Sequence, residues 1–240
     1  TAKLGADVFL WECMGLTPRY IDIIQNQWMR DDISTITNCY PDHEDLQGPA
    51  GIEIPIVMQR FVPKQGVMIT TEESMLPLLE DAAKAKKTEI TRVTWLEASL
   101  LTDDVVGRFP YEEHPNNIAL VAEMASSLGI EQDFALKEMA DNVVADLGVL
   151  KVYPIAQVRQ RQIEFINGMS ANERLGAMGN WQRTGLAAQT LADNPEIWHA
   201  IVINNRADRI ARSKVFASIL VNDSQADCYF FIGANLTGFQ

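Results

Sequence analysis

Apolar residues recur along this chain in two rhythms. Short runs rich in β-branched and aromatic residues, such as "ADVFLWE", "ISTITN" and "GVMITT", alternate with longer segments whose apolar positions return every three or four residues. A strand buried on both faces reads as a continuous apolar run, whereas the helix that covers it reads with a 3.6-residue period. The alternation therefore predicts an α/β chain with a mostly parallel sheet under helices. The strands expected are 6–12, 33–38, 66–71, 88–95, 148–155, 163–168, 199–205 and 227–233. Between them the helical period and the cap signals predict helices over 18–29, 73–85, 116–128, 132–147, 171–193 and 207–220.

Two helical segments in succession, "NNIALVAEMASSLGI" and "EQDFALKEMADNVVADLG", break the alternation before a new strand–helix series starts at Gly148. This divides the chain into a first unit over 1–155 and a second over 156–240. Thr1 leads almost directly into an apolar run and "FFIGANLTGFQ" stops just after another, so both units read as partial, cut from a longer chain.

Composition narrows the function classes. With 47% hydrophobic residues and five tryptophans, 240 residues can fill real cores. A net charge of −12 leaves no general basic surface for a nucleic-acid backbone, so nucleic acid is not an expected partner. Cys13, Cys39 and Cys228 are odd in number and far apart, which points to a reducing compartment rather than a disulfide framework or a structural zinc site. No apolar run approaches the roughly 20 residues that span a bilayer.

In an open parallel sheet, ligands bind beyond the carboxyl ends of the strands. Glu12 closes the run "ADVFLW", and "NCYPDHEDLQGP" begins where "ISTIT" finishes, so neighbouring strands would bring a carboxylate and the His43 imidazole to one crevice. Such a set can help to hold Mg²⁺ beside nucleotide phosphates. Equally, Glu12 could cap a helix and His43 could bond within its own loop. Arg206, Asp208 and Arg209 follow the strand "HAIVINN", where arginine could grip a phosphate or carboxylate, or simply open a solvated helix. "FINGMSANER" places Asn167, Asn172 and Arg174 between a strand and a helix. Among the familiar signatures, G-x-S-x-G, G-x-G-x-x-G and G-x-x-x-x-G-K-[ST] are all absent.

Six ordered segments, "ECMGLTPRY", "NCYPDHEDLQGP", "PNNIALVAEMASSLGI", "GVLKVYPI", "FINGMSAN" and "NNRADR", together resemble the ATP-dependent Mur ligase superfamily. The resemblance is strongest to its capsule branch, the ligase subunits of poly-γ-glutamate synthases. It implies a central P-loop-type ATPase domain over 1–155 without its phosphate loop, which the family carries upstream, and an incomplete Rossmann-like carboxyl-terminal domain over 156–240. It implies ATP and Mg²⁺ as cofactors, with Glu12 and His43 placing the metal and acting in catalysis together with Arg206. Asn117 would approach the adenine, and Lys151, Asn167, Asn172 and Arg209 would complete the nucleotide site.

The implied reaction activates a glutamate or poly-γ-glutamate carboxylate as an acyl phosphate, which an amine converts to an amide. Other Mur-type ligases, acting on peptidoglycan precursors or folates, and a non-catalytic subunit of the same fold are the alternatives. The resemblance also implies membrane subunits of a capsule synthase complex as partners, at the cytoplasmic face of the membrane, and leaves homo-oligomerisation open. Two departures stand out. "AGIEIPIVMQRF" offers no lysine for the modification many Mur ligases use, with Met58 near that place, and Lys151 stands where an arginine is usual.

Overall fold

A computed structural model describes residues 3, 5–13, 15–42, 47–48, 52–189, 195–234 and 236. Three strands, β1 (Ile33–Ile36), β2 (Val67–Thr70) and β3 (Glu89–Arg92), form a parallel sheet in the order β1-β2-β3. Before β1 comes α1 (Pro18–Ile23), which widens into a π-helical turn over Ile24–Met29. The crossovers are α2 (Glu53–Met58), which runs on into a 3₁₀ turn, and α3 (Leu76–Lys86).

The central strand shows why the sheet is covered on both sides. Side chains alternate across a strand, so Met68 packs with Ile36, Val62, Leu79 and Ala83 while Ile69 packs with Val93, Ala98, Ala119 and Leu120. The second face is closed by α4 (Trp95–Ser99) and α6 (Pro115–Ser127), with α5 (Asp103–Val106) between them and α7 (Gln132–Asn142) packed on α6.

The second half is less regular. Short antiparallel pairs join β4 (Lys151–Val152) to β7 (Ile166–Asn167) and β5 (Ala156–Val158) to β6 (Arg161–Ile163). Then α8 (Arg174–Arg183) precedes a parallel βαβ unit made of β8 (Ala200–Asn205), α9 (Ile210–Asn222) and β9 (Cys228–Gly233). Asn205 fastens that unit: its amide donates to Ala234 O at 2.6 Å, and its Oδ1 accepts from the Ser213 hydroxyl. Gly233, at φ +95°, lies so close beneath Asn205 that an added Cβ would stand 2.1 Å from the Asn205 carbonyl oxygen.

Several expectations are corrected. Residues 6–12 form no strand: Val8, Phe9 and Leu10 are exposed, and no described strand pairs with them. A β-former makes a strand only when a neighbour takes up its backbone N–H and C=O groups. The two strands expected over 148–155 and 163–168 are short and antiparallel, because Arg159 and Gln160 adopt positive φ and turn the chain back within two residues. The strand over 88–95 stops at Arg92, since Thr94 and Glu97 form a reciprocal capping box that starts α4. The helix α2 lies where the sequence pattern predicts no element; Pro55 fits within its first turn, where a missing N–H costs no intrahelical bond.

Candidate functional site

The loop after β1 and the starts of α8 and α9 enclose a cleft of about 600 Å³. Pro41 and Asp42 line one wall; Asn172, Glu173 and Arg174 line the second; Asp208, Arg209 and Arg212 line the third. This is the carboxyl end of β1 facing the carboxyl end of β8, so two parallel units present their strand ends to one space.

Charge is concentrated at the start of α9. Arg206 grips Asp208 through Nε at 3.0 Å and Nη2 at 2.8 Å, which holds the Asp208 carboxyl below its ordinary range. Arg209, the residue before the helix, has its Nε 3.8 Å from Asp208. One turn on, Arg212 reaches Asp42 with Nη2–oxygen distances of 2.9 and 3.1 Å. Cations at a helix N-terminus oppose the helix dipole. The carboxylates of Asp208 and Asp42 offset that cost, so Arg174, Arg209 and Arg212 line the cleft together with Asp42, Glu173 and Asp208, with Arg206 paired to Asp208 beside them.

Glu173 caps α8 by accepting from Leu175 N and Gly176 N. Asn172 Nδ2 bonds Ser170 O at 2.9 Å. Across the sheet ends, the buried Glu72 follows β2 and ties two loops together: Oε2 accepts from Cys39 N at 2.6 Å and Oε1 from Met75 N at 2.8 Å. Burial first, and then the Glu72 charge, push the Cys39 thiol up to about 12.

A second cavity, about 360 Å³, lies between α6 and α7. Its exposed walls are mostly apolar, with Phe109, Ile118, Val121, Met139 and Val143, and Glu113, Asn117, Glu138 and Asn142 supply polar groups beside Tyr111. Asn117 Nδ2 donates to Glu113 Oε1 at 3.0 Å. His114 caps α6, its Nδ1 accepting from Asn116 N at 3.2 Å. From α8, Arg183 Nη2 donates to the carbonyls of Glu112 and Glu113 at 2.7 and 2.8 Å. Although His114 keeps some exposed surface, partial loss of water around its ring, and then Arg183, lower its pKa against an opposing pull from Glu113. Apolar walls with a few polar groups are the ordinary lining of a small-molecule site.

The predicted residues therefore separate. Asn172 and Arg209 line the first cleft, Arg206 stands beside them at its exposed edge, and Asn117 lines the second cavity. Lys151 and Asn167 line neither. Lys151 Nζ lies 5.3 Å from the Tyr153 ring centre, while the buried Asn167 amide donates to Leu147 O at 2.8 Å and accepts from Met169 N. Glu12 is exposed on coil, so its expected strand-end placement does not hold, because the strand that would have presented it is not formed. His43 lies outside the described residues. Among the described residues no group of three or more His, Cys, Asp or Glu side chains gathers as a metal centre, and no helix is long and apolar enough to cross a membrane.

Sequence reasoning missed Glu72, Glu113, Arg183 and Arg212. Only Arg212 left a trace, as the third arginine in the 206–209–212 spacing that runs into the first turn of α9.

Comparison with known proteins supplies the context. Residues 152–240 match the family described as the poly-gamma-glutamate synthase CapB C-terminal domain. Over 233 residues the chain is 29% identical to the PGA synthase CapB of Bacillus subtilis (strain 168), covering 97% of this chain and 57% of that protein. The chain thus spans little more than half the length of that relative. Among solved structures, E. coli FolC in complex with DHPP and ADP shares the fold with a TM-score of 0.51 at 11% identity, over 87% of this chain and 59% of that one. A bifunctional folylpolyglutamate synthase/dihydrofolate synthase with Mn, AMPPNP and L-glutamate bound does so with a TM-score of 0.50 at 12% identity, over 86% and 59%.

Proposed function

We propose that the chain belongs to the Mur ligase superfamily, close to CapB, and serves an ATP-dependent amide ligase that extends a γ-linked glutamate polymer; the match of residues 152–240 and the 29% identity to a PGA synthase CapB support this reading. One observation carries the proposal. The strand-end loop holding Asp42 and the arginine-bearing start of α9, from opposite halves of the chain, face each other across one cleft. An anionic substrate and a transferring phosphoryl group both need such a place, with positive groups at hand and the two halves able to meet around them.

In this reading a glutamyl carboxylate attacks the γ-phosphoryl group of ATP, the bond to the β-phosphate bridging oxygen breaks, and ADP leaves. An amine then attacks the acyl phosphate, releasing phosphate and forming the amide. Arg206 and Arg209 draw the anionic partner to the cleft and offset its charge. Asn172, beside the capped start of α8, orders the opposite wall. The cavity of Phe109, Tyr111 and Asn117 takes the adenine, its apolar walls matching the base faces and its amide matching the base edge.

His43, next to Asp42 in sequence, is proposed to help hold magnesium, which when bound would neutralise charge on the transferred phosphoryl group; Glu12, proposed with it from the resemblance, lines neither cavity. Few protein ligands suffice for that ion, because phosphate oxygens and water fill most of its shell. Residues 1–155 and 156–240 are proposed as the central and closing domains, and membrane subunits and the polymer as the partners.

The test uses the protein expressed from its complete reading frame. Glutamate-dependent ADP release, together with trapping of the activated carboxylate by hydroxylamine, is the expected result, and His43→Ala should abolish most of both while leaving the thermal midpoint unchanged. ADP release without any trapped hydroxamate would overturn the acyl-phosphate route.

A further inference from the structure

The carboxylate of Asp42 and the guanidinium of Arg212 are 170 residues apart in sequence and meet across the mouth of the larger cleft. Three contacts join them: Nη2 to Oδ1 at 2.9 Å, Nη2 to Oδ2 at 3.1 Å and Nε to Oδ1 at 3.3 Å. Both side chains are partly withdrawn from water, at 24% and 36% exposure for Arg212 and Asp42. A planar fork on a carboxylate fixes direction as well as distance, which a single point charge does not. The pair is therefore an orienting contact between the loop after β1 and the first turn of α9.

Among the described residues, other attachments between the halves end on backbone carbonyls. Arg183 holds backbone carbonyls at Glu112 and Glu113, and Tyr153 N donates to Phe165 O at 2.9 Å, next to where the chain itself passes from one half to the other. The contact at Asp42 depends on two charged side chains facing a cleft, where ions can compete for either one.

We propose that Arg212 is a positioning residue: by holding Asp42, the chain neighbour of His43, it latches the β1 loop to α9 and sets the closed width of the cleft. The latch rests on the reading of that cleft as the seat of the ligase reaction, and it adds a specific element that closes and opens it. Arg212 acts through Asp42 on the geometry of the loop.

The experiment is a double-mutant cycle in the protein expressed from its complete reading frame, with Asp42→Asn, Arg212→Lys and the charge exchange Asp42→Arg with Arg212→Asp. Hydrogen exchange without nucleotide reports the latch itself. Either single variant should speed exchange in residues 38–42 about tenfold, the change expected when a charge-assisted two-point contact is reduced to a weaker one, with no change in β2 or β3. Kinetics report its role. The single variants should raise the Mg·ATP concentration that half-saturates glutamate-dependent ADP release by a similar factor, leave kcat within about threefold, and combine without multiplying; the charge exchange should recover most of the loss.

Single-variant effects that multiply independently, or a charge exchange that recovers nothing in either readout, would overturn the latch. Coupled hydrogen exchange in a wild-type protein that releases no ADP would uphold the latch and sink the ligase reading alone. Wild-type ligase turnover with uncoupled variants would do the reverse.

Discussion

Glu113 Oε1 accepts a hydrogen bond from Asn117 Nδ2 at 3.0 Å, one helical turn away along the start of α6. An ionised carboxylate can only accept, so the contact dictates which end of the Asn117 amide is its nitrogen. Asn117 also lines the cavity, and the carbonyl oxygen is the acceptor end of its amide. An adenine presents an exocyclic amino donor to such an acceptor, whereas guanine presents a carbonyl that would repel it.

In the adenine site proposed above, Glu113→Gln should therefore relax nucleobase choice more than it weakens binding. Glutamine offers both donors and an acceptor, so the Asn117 amide can turn over. The expected outcome is a fall of about tenfold in the ratio of ATP to GTP affinity, the order expected when one well-made hydrogen bond no longer discriminates. Titration calorimetry with each nucleotide measures it, and an unchanged ratio would show that Glu113 does not orient Asn117.

The cap on α6 predicts a pH dependence. His114 must be neutral at Nδ1 to accept from Asn116 N, and its pKa is lowered from 6.5 by partial desolvation and by Arg183. A histidine depressed in the folded state costs nothing above its unfolded value. As the pH falls below about 6.5 the unfolded chain takes up the proton first and stability declines, and the loss is complete once the pH passes below the folded value. His114→Asn keeps a capping acceptor without a titrating group. The thermal midpoints of wild type and variant should run together at pH 8 and separate between pH 7 and 5, with wild type falling further. Parallel curves across that range would show that His114 protonation is not linked to folding.

Glu72 offers a third test, with two readouts. Its carboxylate serves two backbone N–H groups from the loops after β1 and β2, and the amide of Glu72→Gln has one acceptor oxygen for two donors. One buried donor is then left unmatched, at a cost of about 1–3 kcal/mol in denaturant unfolding. Removing the charge also removes one of the causes that hold the Cys39 thiol near 12. Alkylation of Cys39 by iodoacetamide at pH 9 should be faster in the folded variant than in the wild type. A variant with wild-type stability and an equally inert thiol would show that Glu72 is not bound as described.

The sequence by itself determined the parts whose signal is local. Short runs rich in β-branched and aromatic residues located β1, β2, β3, β8 and β9, and a 3.6-residue period located α3, α6, α7 and α9. Residue order alone also carried the likeness to the Mur ligases, since six segments in sequence need no coordinates.

Tertiary structure decided what depends on partners. Residues 6–12 have the composition of a strand yet form none, because pairing is a property of two segments. Residues 148–168 read as two strands of a parallel series, and a two-residue turn at Arg159 and Gln160 folded them into short antiparallel pairs instead. Asn167 and Asn172 looked alike as polar residues near a strand end; packing gave the first to Leu147 O and left the second on a cleft wall. Arg212 and Asp42 show the limit most plainly. Each is an ordinary charge in its own segment, and only the approach of α9 to the end of β1 makes them a pair, because Coulombic attraction and hydrogen-bond geometry depend on distance in space and not on separation along the chain.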